Sequence, residues 1–163
     1  MNCDNITIDN GGVSLAGDLR TIYTINHLSR LGMQLLFTES EENGVFKGLN
    51  LIPGKVVKLK YFKENIKIPH IGWNKIITQN KNWKNTIMEK TNVEKDYFYF
   101  VHSYFPKPEN EEHILASSHY GQNEFCCVTN YKNIYGCQFH PEKSGKAGIE
   151  ILKQFYINFV KNN

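Results

Sequence analysis

No run of about 18 apolar residues occurs in this 163-residue chain, so no membrane span is predicted. The first residues, Met1-Asn2-Cys3-Asp4-Asn5, lack a basic region followed by an apolar one, so no secretion signal is expected and a cytoplasmic setting is. Cysteine is scarce. Cys3, Cys126, Cys127 and Cys137 form no C-x-x-C pair, which argues against a zinc site and favours buried thiols. No Gly-Lys-Ser/Thr follows the early glycines, which excludes a phosphate loop. The net charge of +3 comes from basic residues interleaved with acidic ones, not from a basic face, so nucleic acid is not an expected partner. No metal or organic cofactor is implied.

What is present suits one domain. Hydrophobic residues make up 40% and aromatics 13%, enough for a single core, and 21% charge does not predict disorder. Asn5 to Asp9 and Thr21 to Ile25 read as short strands, with turns at Gly11-Gly12 and Gly17. Leu31 to Glu39 reads as a short helix ended by Asn43-Gly44. Pro53-Gly54 predicts a turn, followed by a strand at Val56 to Lys60. Lys67 to Ile77 holds a further extended piece. Tyr97 to Phe105, Ile114 to Ser118, Glu124 to Thr129 and Ile134 to Phe139 are predicted strands, the middle two joined as a hairpin at Tyr120 to Asn123. Ala147, Ile151, Leu152, Phe155 and Phe159 recur at three- and four-residue steps and predict a helix over Lys146 to Lys161, capped by Ser144. Strands followed by a terminal helix give an α/β domain with an antiparallel insertion.

The chemistry-bearing segment is Tyr135-Gly136-Cys137-Gln138-Phe139-His140-Pro141-Glu142-Lys143-Ser144, between the last strand and the helix. Residues i and i+2 of an extended chain share a face, so His140 and Glu142 project together. Pro141, which has no N–H, suits a strand leaving its sheet. A carboxylate that fixes an imidazole tautomer is the base half of a nucleophilic triad. Spacing alone fits equally a loop with a surface carboxylate.

Gln138-Phe139-His140-Pro141-Glu142 resembles the signature of class I glutamine amidotransferases. With Lys143-Ser144 it is most similar to the glutaminase subunits of imidazole glycerol phosphate synthases and close relatives. Three further segments match in order: Leu31-Gly32-Met33-Gln34-Leu35-Leu36-Phe37, Ile68-Pro69-His70-Ile71-Gly72-Trp73-Asn74 and Tyr99-Phe100-Val101-His102-Ser103-Tyr104. The resemblance runs from about residue 31 to 160. It implies a flavodoxin-like α/β fold spanning 31–163, with a mixed sheet and a terminal helix on one face, and leaves 1–30 unassigned.

The resemblance also implies hydrolysis of glutamine through a cysteine thioester, with ammonia passed to a (β/α)8-barrel cyclase in a heterodimer. The cyclase reaction belongs to histidine biosynthesis; some close relatives instead supply ammonia for surface sugars. By motif, His140 is the general base and Glu142 its orienter. Gln34, Glu42, His102, Ser103 and Tyr104 contact glutamine. The Leu31 N–H helps stabilise the oxyanion. Lys143 and the segment containing Pro69, His70, Trp73 and Asn74 face the cyclase. Each has a plain structural alternative: Trp73 as a buried aromatic, His102 as a satisfied strand histidine, Gln34 as a solvated side chain.

The sequence departs from the family at its nucleophile. Where the family reads Gly-x-Cys-Leu-Gly-Met-Gln, this chain reads Leu28-Ser29-Arg30-Leu31-Gly32-Met33-Gln34. Arg30 therefore stands at the cysteine's place, and a permanently protonated guanidinium cannot attack a carbonyl. No Pro-Gly-x-Gly oxyanion loop is found upstream, and one lost oxyanion donor alone costs on the order of 100- to 1,000-fold in turnover. The expectation is a domain lacking its first βαβ units and inactive as written, either a shortened glutaminase or a docking partner of the cyclase.

Overall fold

A computed structural model describes residues 6–9, 12–15, 32–61, 66–78 and 82–160. Strands β1 (Ile6–Asp9) and β2 (Gly12–Leu15) pair antiparallel. The strand expected at Thr21 to Ile25 and the turn at Gly17 lie outside the described residues, as do Cys3, Arg30 and Leu31.

The helix predicted over Leu31 to Glu39 is a single turn, α1 (Gly32–Leu35), followed by strand β3 (Phe37–Ser40). Long-range bonding explains the early stop. The Leu35 carbonyl accepts from Leu49 N–H at 2.8 Å, and the Leu36 carbonyl accepts from both Leu51 and Ile52 at 2.9 Å. Carbonyls held by a neighbouring segment are not offered to the next helical turn. Met33 and Gln34 of α1 are buried.

The Pro53-Gly54 turn is also corrected. Strand β5 (Ile52–Lys58) runs through it, with Ile52, Gly54 and Val56 facing inward. The register shift against β3 falls here, and such an irregularity accommodates a residue without an N–H. Gly54 has φ +149°, and a Cβ there would meet the Lys107 carbonyl oxygen at 2.6 Å.

The remaining strands are β4 (Phe46–Lys47), β6 (His70–Asn74), β7 (Phe98–His102), β8 (Tyr104–Pro108), β9 (Ile114–Tyr120), β10 (Asn123–Tyr131) and β11 (Ile134–Cys137). They form a mixed sheet ordered β4-β3-β5-β8, an antiparallel sheet β11-β10-β9 and the pair β6-β7. Only β3–β5 is parallel among the described pairings. The predicted hairpin stands as β9-β10, and the strand predicted over Tyr97 to Phe105 is divided at Ser103 into β7 and β8.

The terminal helix α2 (Gly145–Phe155) continues as a π-helical turn, Tyr156–Val160. Its Ile151 and Phe155 join Phe98, Phe100, Phe125, Phe139 and Met88 in the larger of two buried apolar clusters. Met33, Leu36, Phe37, Ile52 and Val56 centre the second. Each fully buried Leu, Ile or Phe contributes roughly 1.5–3 kcal/mol, so these clusters fix the sheets on which the polar groups sit. Cys126, Cys127 and Cys137 remain thiols.

Candidate functional site

The His140–Glu142 pair forms, by a route different from the expected one. The chain after β11 is not extended; Pro141–Lys143 is a 3-10 turn with His140 at its N-cap. The turn still brings His140 Nδ1 to 2.9 Å from Glu142 Oε1. A carboxylate only accepts, so Nδ1 carries a proton in this contact. His140 is buried and Glu142 half exposed, so the pair sits at a surface with its imidazole sheltered. A neutral imidazole held in one tautomer can take a proton at Nε2 from a nucleophile or water.

Two residues to which sequence reasoning gave no role at this turn hold it in place. The His140 N–H donates to the Tyr99 carbonyl at 2.9 Å. Ser144, predicted to cap α2, makes no capping bond. Its hydroxyl donates to the His140 carbonyl at 2.6 Å and accepts from Tyr99 N–H at 3.0 Å. The turn is thereby pinned to β7 through both backbone groups of Tyr99. From the other side, α2 presses Gly148 against the turn so closely that a Cβ would lie 1.9 Å from the Pro141 carbonyl oxygen.

β7 leads from this turn to a small cleft of about 50 Å³, lined by Gln34, Glu42, Pro69, Val101, His102, Ser103 and Tyr104. All five residues predicted to contact substrate are thus gathered in one place. Tyr99 to Val101 is two residues, about 7 Å along a strand, so cleft and His140 turn are neighbours on β7. The cleft is far below the several hundred Å³ that enclose a drug-sized ligand, and it fits one end of a small molecule. A groove of about 650 Å³ elsewhere mixes Lys58, Lys60 and Lys107 with Glu41, Glu111 and Glu124 and includes none of the predicted site residues.

Gln34 is buried rather than solvated. Its Nε2 donates to the Tyr104 carbonyl at 3.0 Å, while its Oε1 has no hydrogen-bond partner among the described residues. The same carbonyl accepts from His102 Nδ1 at 3.0 Å, and His102 Nε2 lies 3.1 Å from His70 Nδ1. Both ring nitrogens of His102 are therefore engaged inside the protein. Burial pushes His70 down to about 4; burial, with a smaller contribution from His70, pushes His102 down to about 3, so both rings are neutral near pH 7. Cys137 is pushed up to about 12 by burial and by the Glu142 carboxylate, which leaves it a protonated thiol.

His70 corrects an expectation. It was assigned to the partner face, yet it is only 3% exposed and its ring stacks between Phe100 and Tyr120. Alternation along β6 is the cause: His70 points inward while Ile71 and Trp73 point out, 59% and 55% exposed. Trp73 is not the buried aromatic of the alternative reading; it packs edge-on against Tyr99. Lys143 and Pro69 are exposed, and Asn74 is half buried, its amide donating to the His119 carbonyl. Among the described residues no group of His, Cys, Asp and Glu is arranged to hold a metal ion.

Residues 30–159 match the model of the class I glutamine amidotransferase family. The chain is 42% identical over 125 residues to imidazole glycerol phosphate synthase subunit HisH of Chlorobaculum tepidum, covering 77% of this chain and 59% of that one. It is 47% identical to subunit HisH of Bacillus subtilis over 128 residues, covering 77% and 58%. Against subunit HisH of Methanocaldococcus jannaschii the identity is 46% over 125 residues, covering 77% and 59%. The chain thus spans about three-fifths of the length of these relatives. With its mixed sheet, terminal helix and α/β, flavodoxin-like fold class, the chain belongs to the class I glutamine amidotransferases.

Proposed function

We propose that this chain is the glutamine-binding part of an imidazole glycerol phosphate synthase, acting in the cytoplasm beside a (β/α)8-barrel cyclase in histidine biosynthesis. The observation that carries the reading is the His140 Nδ1–Glu142 Oε1 bond of 2.9 Å, on a turn joined through β7 to the cleft of Gln34, Glu42, Ser103 and Tyr104. In this reading His140 is the general base and Glu142 its orienter. Gln34 Oε1, buried and without a hydrogen-bond partner among the described residues, is an acceptor suited to an amino or amide N–H of glutamine. Leu31 takes the oxyanion role by motif. Trp73, Asn74, Pro69 and Lys143 form the cyclase-facing surface, and the glutamine amidotransferase domain is residues 31–163.

Arg30 stands where the family pattern has its nucleophile. With a guanidinium there, no thioester forms, and the base has no thiol to deprotonate. Arg30 also favours a second reading, a docking module that binds glutamine and cyclase without hydrolysis. Calorimetric titration of the chain with glutamine, and ammonia release by the Arg30→Cys variant with a barrel cyclase, test both. Binding with ammonia release only in Arg30→Cys supports the glutaminase site. Binding of cyclase without release in either chain favours the docking module. Absence of glutamine binding in both chains overturns the proposal.

A further inference from the structure

The polar groups behind the cleft form one chain of hydrogen bonds whose direction is fixed by chemistry. The Tyr104 carbonyl can only accept, so His102 must donate to it from Nδ1. A neutral imidazole that donates from Nδ1 accepts at Nε2, so His70 must donate from its own Nδ1 across the 3.1 Å contact. Gln34 Nε2 supplies the second donor to the Tyr104 carbonyl at 3.0 Å, and its buried Oε1 has no hydrogen-bond partner among the described residues. Burial makes the arrangement one of a kind: His70, His102 and Gln34 are 3%, 4% and 5% exposed, so water does not replace a lost partner.

Resting on the glutamine reading above, we propose that His70 is a positioning residue for the cleft: its Nδ1–H donates to His102 Nε2 and holds the ring whose own Nδ1–H shares the Tyr104 carbonyl with Gln34. His70 touches no substrate in this arrangement. It acts through His102, and its own ring is held flat between Phe100 and Tyr120, with ring centroids 5.1 Å and 4.0 Å away. If the His70 donor is lost, the buried His102 Nε2 becomes an unpaired acceptor. The His102 Nδ1–H still has the Tyr104 carbonyl to donate to, so the tautomer stays, and the ring loses the bond that holds it from the His70 side.

The test is nitrogen-15 NMR of histidine rings and side-chain amides in the full chain, with a glutamine titration, for the wild type, His70→Phe and His70→Asn. Phe keeps the stacking and removes the donor; Asn places an amide N–H near the position of Nδ1. The expected result is Nδ1–H for both rings in the wild type. In His70→Phe, the His102 Nε2 resonance moves as its hydrogen bond is lost, the Gln34 amide resonance moves, and glutamine affinity falls roughly tenfold, the cost of one buried hydrogen bond. His70→Asn restores all three. A wild-type His70 in the Nε2–H form overturns the proposal without any variant, as does a His70→Phe chain whose His102 Nε2 and Gln34 amide resonances are unchanged. A wild type that binds no glutamine overturns the substrate reading, while the tautomer and Gln34 signals still decide the relay.

Discussion

Ser144 and Tyr99 are 45 residues apart in sequence and joined by a 3.0 Å bond from the Tyr99 amide to the Ser144 hydroxyl. The same hydroxyl donates to the His140 carbonyl, so one side chain ties the turn of the general base to the strand that leads to the cleft. Replacing Ser144 by Ala takes away the hydroxyl that the Tyr99 N–H donates to and leaves the His140 carbonyl with the Lys143 N–H alone. The expected loss of stability is about 1–3 kcal/mol, measured by urea denaturation. The His140 ring resonances should broaden or split, which a simple loss of helix capping would not produce.

Glu142→Gln should change the tautomer of His140 without unfolding the chain, because Glu142 is half exposed. The amide of the new side chain can donate to Nδ1, which stabilises the Nε2–H form and removes the lone pair that a general base needs. Nitrogen-15 ring spectra check this directly. A His140 that stays Nδ1–H in the variant would show that the 2.9 Å contact does not set the tautomer.

Gly148→Ala should destabilise the chain although alanine is the better helix former by about 1 kcal/mol. The added methyl would sit 1.9 Å from the Pro141 carbonyl oxygen, which is backbone and cannot swing aside. Overpacking of this kind costs about 1–3 kcal/mol, and the helix must move off the His140 turn. Thermal denaturation gives the first effect and the His140 resonances the second.

Acid should weaken the fold through the His70–His102 pair. Their folded-state values, about 4 and about 3, lie below the ordinary 6.5. The unfolded chain takes up protons below pH 6.5 while the folded chain does not. The contribution is thus fully present above pH 6.5 and is lost as the pH falls through about 4 toward 3, on the order of a few kcal/mol. Melting temperatures from pH 7.5 to 4 should fall, and fall less steeply in His70→Phe. Equal slopes would place the acid sensitivity elsewhere.

Trp73→Ala should leave stability within about 0.5 kcal/mol, because more than half of the side chain is already in water. Its binding to a barrel cyclase, measured by surface plasmon resonance, should weaken by about 2 kcal/mol, near thirtyfold. Unchanged affinity would remove Trp73 from the docking surface.

The sequence made the hairpin β9-β10 and the helix α2 legible because both depend on local periodicity, Ile151 and Phe155 for the helix and the Tyr120 to Asn123 turn for the hairpin. It also brought His140 and Glu142 together, although the extended-chain argument reached the right pair through the wrong local geometry. The one-turn length of α1 was not legible, since the bonds that end it come from Leu49, Leu51 and Ile52. The strand through Pro53-Gly54 depends on a register shift that no local pattern announces. The inward turn of His70 was legible and overlooked: residues 70 and 73 differ in parity, so their side chains leave the strand on opposite faces. The clamp role of Ser144 had no signal beyond its place after His-Pro-Glu-Lys.

β7 places consecutive residues in different service. Phe98, Phe100 and His102 point inward, while Tyr99 and Val101 lie on the opposite side, Tyr99 beside the His140 ring. Deleting one residue from the strand would therefore exchange the two sets at a stroke. Aromatic rings would be turned out to water, and a tyrosine and a valine turned in to where the histidine relay now stands. Both faces of these five residues carry the site as well as the fold, so a reading-frame-preserving deletion here is expected to be as damaging as the loss of His140.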